Sequence, residues 1–269
     1  MPLVRDRCIC VRKVEFSETS QILALFGRDH GLFRVIAKGA HRRTKAGASK
    51  FDGGIDLLDE GDAVFTSDSN RELSTLTEWK LHEGRLLLRN NLRSLYLGLY
   101  AAELVTTLIE EHDPHPAVFQ GLQQVLAELS TPRLEEAFLA FELDLLREAG
   151  YEPEFAICVS CGQKWGDRQP VYFSPARGGV ICRNCEAAQP DRLEVDMRLL
   201  RLLQQFQGPV RRWPRLTRHQ TDPLNHLLAE QIEQNLGRRM RMPPYVLPAR
   251  VRDASSKRLV PSPGTPGEG

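Results

Sequence analysis

The chain has 269 residues, 41% hydrophobic, 26% charged and 7% aromatic, a length above the usual single-domain size with enough apolar side chains for a sizeable core, which excludes wholesale disorder. Lys and Arg number 36 against 35 Asp and Glu, a formal net charge of +1, so whole-chain charge identifies no partner and only local clusters can. The first twenty residues carry Arg5, Asp6, Arg7, Arg12, Lys13, Glu15 and Glu18 without the apolar stretch of a secretory signal. The uncharged run at 94–102 falls far short of the roughly 20 residues a bilayer requires, so the expectation is a soluble intracellular protein with no membrane partner.

In chain order, the N-terminal part reads as β structure. Short apolar or alternating runs at 8–11, 21–26, 32–37, 55–58, 63–66 and 73–79 are separated by the turn signals Asp29-His30-Gly31, Gly53-Gly54, Gly61-Asp62 and Ser67-Asp68-Ser69-Asn70. Five or six short strands in about eighty residues predict a small closed or nearly closed barrel, which removes exposed edges. An OB-like barrel fits this size, and the pattern also admits an SH3-like one. Cys8 and Cys10 stand two apart on the first strand and read as small core residues.

From Glu83 the period becomes helical. Leu86, Leu87, Asn90, Leu95, Leu99, Ala102, Val105 and Leu108 predict two helices that end at His112-Asp113-Pro114. His112 and His115 read as loop residues, and another helix is predicted at 117–129. Thr131-Pro132 reads as an N-cap followed by proline at the first helical position. Leu134, Phe138, Phe141, Leu145 and Ala149 then mark one helix face, with Gly150 placed for a left-handed C-terminal cap. Two more helices are predicted at 196–207 and 223–236. Six prolines lie between Pro243 and Gly269, which predicts a disordered tail.

Four of the six cysteines form two pairs, Cys158-x-x-Cys161 and Cys182-x-x-Cys185, with twenty residues between them. A secreted disulfide scaffold would be shorter and would spread its cysteines, so the pairs read as ligands of one tetrahedral metal ion. Val171-Tyr172-Phe173, Pro175, Gly178-Gly179 and Val180-Ile181 predict a hairpin that returns the second pair to the first, a zinc-ribbon-like arrangement. Four thiolates fill the coordination sphere, which predicts one structural Zn2+; an iron–sulfur cluster and a redox dithiol are the competing readings. No GxxxxGK[ST], GxSxG or HExxH sequence is present, and nothing argues for catalysis.

Charge clusters carry the other signal. Between Arg34 and Lys50 the chain holds Arg34, Lys38, Arg42, Arg43, Lys45 and Lys50 with no acid, interleaved with small residues. A basic loop after a barrel strand can follow a phosphate backbone and release counterions, whereas the plain alternative is a solvated surface loop. Arg211, Arg212, Arg215 and Arg218 around Trp213 form a weaker group, with Trp213 read as core. Arg238, Arg239 and Arg241 close the last helix.

The order of these parts resembles the RecO family of bacterial recombination mediators. The similarity is carried by Glu18-Thr19-Ser20 with Phe26 and His30-Gly31-Leu32, by Ala37-Lys38-Gly39-Ala40-His41-Arg42-Arg43, by the stretch from Phe141 to Pro153, and by Phe173-Ser174-Pro175 with Gly178-Gly179-Val180-Ile181-Cys182. It extends over about residues 3–240. His41 departs from the residue usual at its place. The resemblance implies a non-enzymatic protein of the bacterial cytoplasm and nucleoid that binds single- and double-stranded DNA and anneals complementary strands without ATP. It also implies partnership with RecR and with the C-terminal tail of single-stranded-DNA-binding protein (SSB), and help in loading RecA. DNA contact carries over onto Lys38, Arg42 and Arg43, to which charge alone adds Arg34, Lys45 and Lys50.

The expected fold class is therefore α+β. An OB-fold domain is expected at 1–81 and an α-helical domain at 82–157 and 186–242. A four-cysteine zinc module at 158–185 is inserted in the helical domain, and the tail occupies 243–269. The rival readings are a protein–protein adaptor whose basic loop is only solvated surface, and an enzyme assembled from scattered residues.

Overall fold

Phe33, Val35 and Ala37 are buried while Arg34 and Lys38 are exposed, and this period of two shapes the N-terminal part of the protein. The structure is a computed structural model that describes residues 2–40, 51, 52, 54–66, 73–166, 170–207 and 214–248. Strands β1 (Leu3–Glu15), β2 (Ser20–Gly27) and β3 (Gly31–Lys38) form an antiparallel meander. After the two-residue strand β4 (Phe51–Asp52), β5 (Glu60–Thr66) pairs antiparallel with β1 and with β6 (Ser74–Glu83). β6 then runs parallel to β3, so the order β1-β2-β3-β6-β5 closes back on β1. This closed five-stranded barrel is OB-like.

Cys8, Cys10, Leu23, Leu25, Phe33, Val35, Ala63, Phe65, Leu76 and Trp79 fill the barrel interior. Phe33 and Phe65 stack with ring centroids 4.4 Å apart. Burial pushes the Cys8 thiol well up and the Cys10 thiol up to about 12, so both are neutral core residues at physiological pH.

The run at 55–58 is a turn rather than the predicted strand. Aspartates decide this: Asp56 Oδ1 accepts the Leu57 N–H and Asp59 Oδ2 accepts the Asp56 N–H, both at 2.8 Å. Side-chain acceptors next to the backbone compete with ladder bonds. Leu58 N–H donates instead to Cys10 O at 2.8 Å, and Cys10 N–H to Asp59 O at 2.9 Å. There β1 bulges between Cys10 and Arg12.

Outside the barrel, a 3-10 turn at Leu86–Asn90 leads into α1 (Leu92–Leu108), followed by α2 (Pro116–Glu128). Asn91 caps α1 by accepting the Arg93 and Ser94 N–H groups at 2.9 and 3.3 Å. α1 packs on β1, and Phe119 of α2 lies 6.0 Å from Phe26 of β2. Gly31 is required where the loop after α1 crosses β3. Its φ is +68°, and a Cβ there would stand 2.3 Å from Asp113 O. The barrel, α1 and α2 make one compact unit up to Pro132, and a second begins at Arg133.

In the second unit, α3 (Leu134–Glu148) is buried nearly all round, from Glu135 through Leu143 and again at Leu145 and Leu146, rather than on the single face predicted. Its buried acids have partners. Glu135 Oε2 accepts the Thr221 hydroxyl at 2.8 Å and Glu136 Oε1 accepts the Leu216 N–H at 2.9 Å. Thr131 does not cap α3; its hydroxyl donates to Glu128 O at 2.7 Å, at the end of α2, and Arg133 holds the N-cap position. Gly150 has the left-handed conformation expected of it, φ +78°.

β7 (Val171–Ser174) and β8 (Gly179–Ile181) form the predicted hairpin, and β9 (Leu193–Val195), a strand without a clear sequence signal, adds to β7 to complete a three-stranded sheet. α4 (Met197–Gln207) follows. α5 (Arg218–Leu236) starts five residues before its predicted position and contains Pro223. Its earlier start comes from Thr217 and Gln220, where Thr217 N–H donates to Gln220 Oε1 at 2.9 Å. The expected tail is packed at its beginning: α6 (Pro243–Val246) forms there, with Val246 and Leu247 buried.

Candidate metal centre and nucleic-acid interface

The four-cysteine site is built on backbone turns. Cys158 N–H donates to Gln163 O at 2.9 Å and Gly162 N–H to Cys158 O at 2.8 Å, with Gly162 at φ +73°, so Cys158 and Cys161 sit on a tight knuckle. On the other pair, Cys185 N–H donates to Cys182 O at 3.0 Å. The knuckles are docked together: Val159 N–H reaches Val180 O at 2.9 Å, and Cys182 N–H points at Cys158 Sγ at 3.4 Å. Gly179 is needed for this approach, since a Cβ there would lie 2.3 Å from Val159 Cγ1 and 3.1 Å from Glu154 O. Glutamine side chains secure the segment leading in. Gln204 Nε2 donates to Phe155 O at 2.7 Å, Gln207 Nε2 to Pro153 O at 2.8 Å and Gln231 Nε2 to Tyr151 O at 2.8 Å.

All four Sγ atoms lie within 4.8 Å of one another. A regular tetrahedron with metal–sulfur bonds of about 2.3 Å has its sulfurs about 3.8 Å apart. Cys161 and Cys182 are separated by 3.8 Å, so the donor set fits one tetrahedral ion of a thiophilic metal such as zinc. None of the cysteines is in a disulfide. Burial opposes ionisation of Cys158, but the N–H groups of Cys182, Cys161 and Ser160 outweigh it and bring this thiol down to about 6. Hydrogen bonding to Cys182 and Cys161 pushes Cys185 up to about 12, and Cys161 is also raised: its Gln163 N–H contact favours the thiolate, but burial and the neighbouring thiols prevail. One thiolate therefore forms readily and further charge resists accumulating until a cation neutralises it.

At neutral pH Cys161 and Cys185 carry protons that a bound ion must displace, whereas Cys158 is already ionised above about 6. Metal affinity should therefore fall by about a hundredfold or more for each unit of acidification, with a further proton involved below pH 6. Zinc titrations at several pH values, run in buffers of different ionisation enthalpy, would measure the proton release; uptake without it would contradict the thiol assignment.

Of the six basic residues predicted to meet DNA, Arg34 and Lys38 are described, both exposed on β3 at the outward-facing period. Arg34 Nε pairs with Glu111 Oε1 at 3.1 Å, which offsets part of its charge. Arg42, Arg43, Lys45 and Lys50 lie outside the described residues, as do Arg211, Arg212 and Trp213. Lys38 ends β3 immediately before that basic stretch. His115 Nε2 sits 3.0 Å from Asp113 Oδ2 in the loop where it was expected. Among the described residues no helix is long and apolar enough to cross a membrane.

A closed OB-like barrel, a helical part and a ribbon that gathers four cysteines define a modular α+β protein with a candidate single-ion thiolate site. The chain matches the family models for the N-terminal part of recombination protein O over residues 1–85 and for its C-terminal part over residues 89–243. It is similar to the DNA repair protein RecO of Rhodopirellula baltica, 33% identical over 67% of this chain and 66% of that protein. It is also similar to RecO of Bacillus pumilus, 31% identical over 76% and 77% of the two chains, and to RecO of Anaeromyxobacter sp. strain K, 28% identical over 89% and 94%. The chain belongs to the RecO family.

Proposed function

We propose that this protein is a DNA-binding recombination mediator in DNA repair, acting without catalysis. The observation that carries the reading is a closed OB-like barrel whose β3 ends at Lys38 directly before the acid-free basic stretch that holds Arg42, Arg43, Lys45 and Lys50. Contacts to phosphates give binding with little sequence preference and strong salt dependence. Neutralising phosphates on two strands at once lowers their repulsion and permits complementary strands to pair without ATP. Membership of the RecO family supports the rest of the role: engagement of the SSB tail, cooperation with RecR, and loading of RecA onto SSB-coated single strands in the bacterial cytoplasm. Tail capture would act by raising the local concentration of coated DNA at the barrel.

Cys158, Cys161, Cys182 and Cys185 would hold one zinc ion, and the ion's contribution is structural, locking the two knuckles together. The test is ATP-free annealing of complementary oligonucleotides, bare and SSB-coated. Acceleration of both supports the reading. A pure adaptor is the second reading, favoured by the adjacent Leu86 and Leu87, each 67% exposed, and by Leu92, 62% exposed and five residues further on. Negligible DNA binding at low salt would select it.

A further inference from the structure

The outward face of the barrel meshes apolar and basic residues in a way that the phosphate reading does not use. Cross-strand register places Ile9, Phe26 and Leu32 in one outward row, and all three are buried, with Phe119 of α2 against Phe26. Further along the same strands the helical cover ends. Val14, Ile22, Ile36 and Thr75 stand opposite one another across β1, β2, β3 and β6, with Val14 45% exposed and Ile22 and Ile36 half-buried. Phe16 follows Val14 by two residues at the end of β1 and is 63% exposed; its N–H donates to Ser20 O at 3.0 Å, and Ser20 is opposite Lys38. Arg12, Ala24 and Arg34 form the next row on the other side of Val14.

A solvent-facing strip of a phenylalanine and three aliphatic side chains is thus bracketed by Arg12 and Arg34 at one end and by Lys38 at the other. Among the described residues, acids near it include Glu111, paired with Arg34, Glu18 in the turn between β1 and β2, and Glu15 between Val14 and Phe16, whose Oε1 accepts Gln21 Nε2 at 2.9 Å and lies 3.9 Å from Lys13 Nζ. The outward rows themselves carry no carboxylate between Arg12 and Lys38. Apolar faces with cationic edges suit a ligand that is flat and apolar on its faces and anionic along its backbone. Unpaired nucleobases meet that description, while duplex DNA hides its base faces in the stack. OB barrels also present their strand 2–3 face to oligonucleotides.

We propose that this strip is a base-stacking platform, with Phe16 as its aromatic contact, that gives the protein a preference for unpaired DNA over duplex. The inference rests on the DNA-binding reading above and adds the part of the substrate that the barrel recognises.

The experiment compares fluorescence anisotropy of the full-length protein, at one fixed salt concentration, with three probes: a single-stranded oligonucleotide, the same oligonucleotide with abasic residues at its centre, and a duplex. The intact single strand should bind about tenfold more tightly than the abasic one, as expected for one base–aromatic stack. Phe16→Ala should abolish most of that difference while leaving abasic and duplex binding unchanged. Phe16→Trp should restore it and add indole fluorescence that is quenched by the intact strand alone. Equal wild-type affinity for intact and abasic strands would overturn the platform and leave phosphate binding standing, as would equal weakening of all three probes by Phe16→Ala. Failure of the wild-type protein to bind any probe at low salt would instead overturn the DNA-binding reading itself.

Discussion

Cys161→Ser is expected to reduce bound zinc from one ion per chain to a small fraction of that, and to destabilise the second compact unit by about 3 kcal/mol or more. That is a modest share of the roughly 10–16 kcal/mol that structural zinc contributes in zinc-finger peptides. Cys161 is the informative position because it is exposed, while Cys158 is buried. Exchanging sulfur for oxygen at an exposed site removes no apolar packing, so a loss of stability there reports the lost ligand. The knuckle itself should persist, because Gly162 N–H donates to the Cys158 carbonyl and not to the Cys161 side chain. Metal content measured together with thermal unfolding, with and without a chelator, checks this. A variant that unfolds like the parent and still carries one ion would remove Cys161 from the site.

Arg42→Ala combined with Arg43→Ala is expected to weaken DNA binding and flatten its salt dependence. Two lost phosphate contacts should reduce the slope of log K against log salt by about 1.4 on single strands and about 1.8 on duplex. At 0.1 M salt the single-strand slope change corresponds to roughly 25-fold in affinity. The loss should be uniform across sequences, because phosphate contacts position the ligand without reading bases. Titrations at four or more salt concentrations measure it. An unchanged slope would assign the affinity to other residues, and a fold disturbed by the double substitution would show in the unfolding transition.

The parts legible in the sequence are those set by short-range pattern. The apolar runs 21–26 and 32–37 mark β2 and β3 because one face of each lines the barrel interior, and Phe26 and Leu32 on the other face are buried as well. The paired cysteines were legible because a tight knuckle needs ligands a fixed few residues apart, and the hairpin of β7 and β8 brings the pairs together as expected. The misreadings each have a local competitor. Asp56 and Asp59 turned an apolar run into a turn. Thr131 finished one helix where it had been expected to begin the next. α5 begins at Arg218 rather than at Pro223 because Thr217 N–H donates to Gln220 Oε1, a pairing ahead of the expected boundary.

Other features were beyond any local pattern. α3 is buried nearly all round because α4 and α5 pack on it from separate parts of the chain. The glutamines that hold the approach to the cysteine site act from 49, 54 and 80 residues away. Gly179 read as a turn glycine, and only the docking of Val159 shows why a side chain is excluded there. The salt bridge between Arg34 and Glu111 likewise depends on the loop after α1 returning to β3, where Leu32 and Glu111 bridge. Phe16 carries no local signal, since a lone aromatic before a turn is recognised as exposed only once its strand and helical neighbours are placed.

The central claim is that the barrel's basic side brings complementary strands together. Its most direct test is the rate of ATP-free annealing of SSB-coated complementary oligonucleotides, comparing the protein with its Arg42→Ala, Arg43→Ala variant and comparing intact SSB with SSB lacking its C-terminal tail. The account predicts acceleration by the unaltered protein that is lost with the double variant and strongly reduced without the tail. Folded, zinc-loaded protein that leaves the annealing rate unchanged, or a double variant as active as its parent, would contradict it.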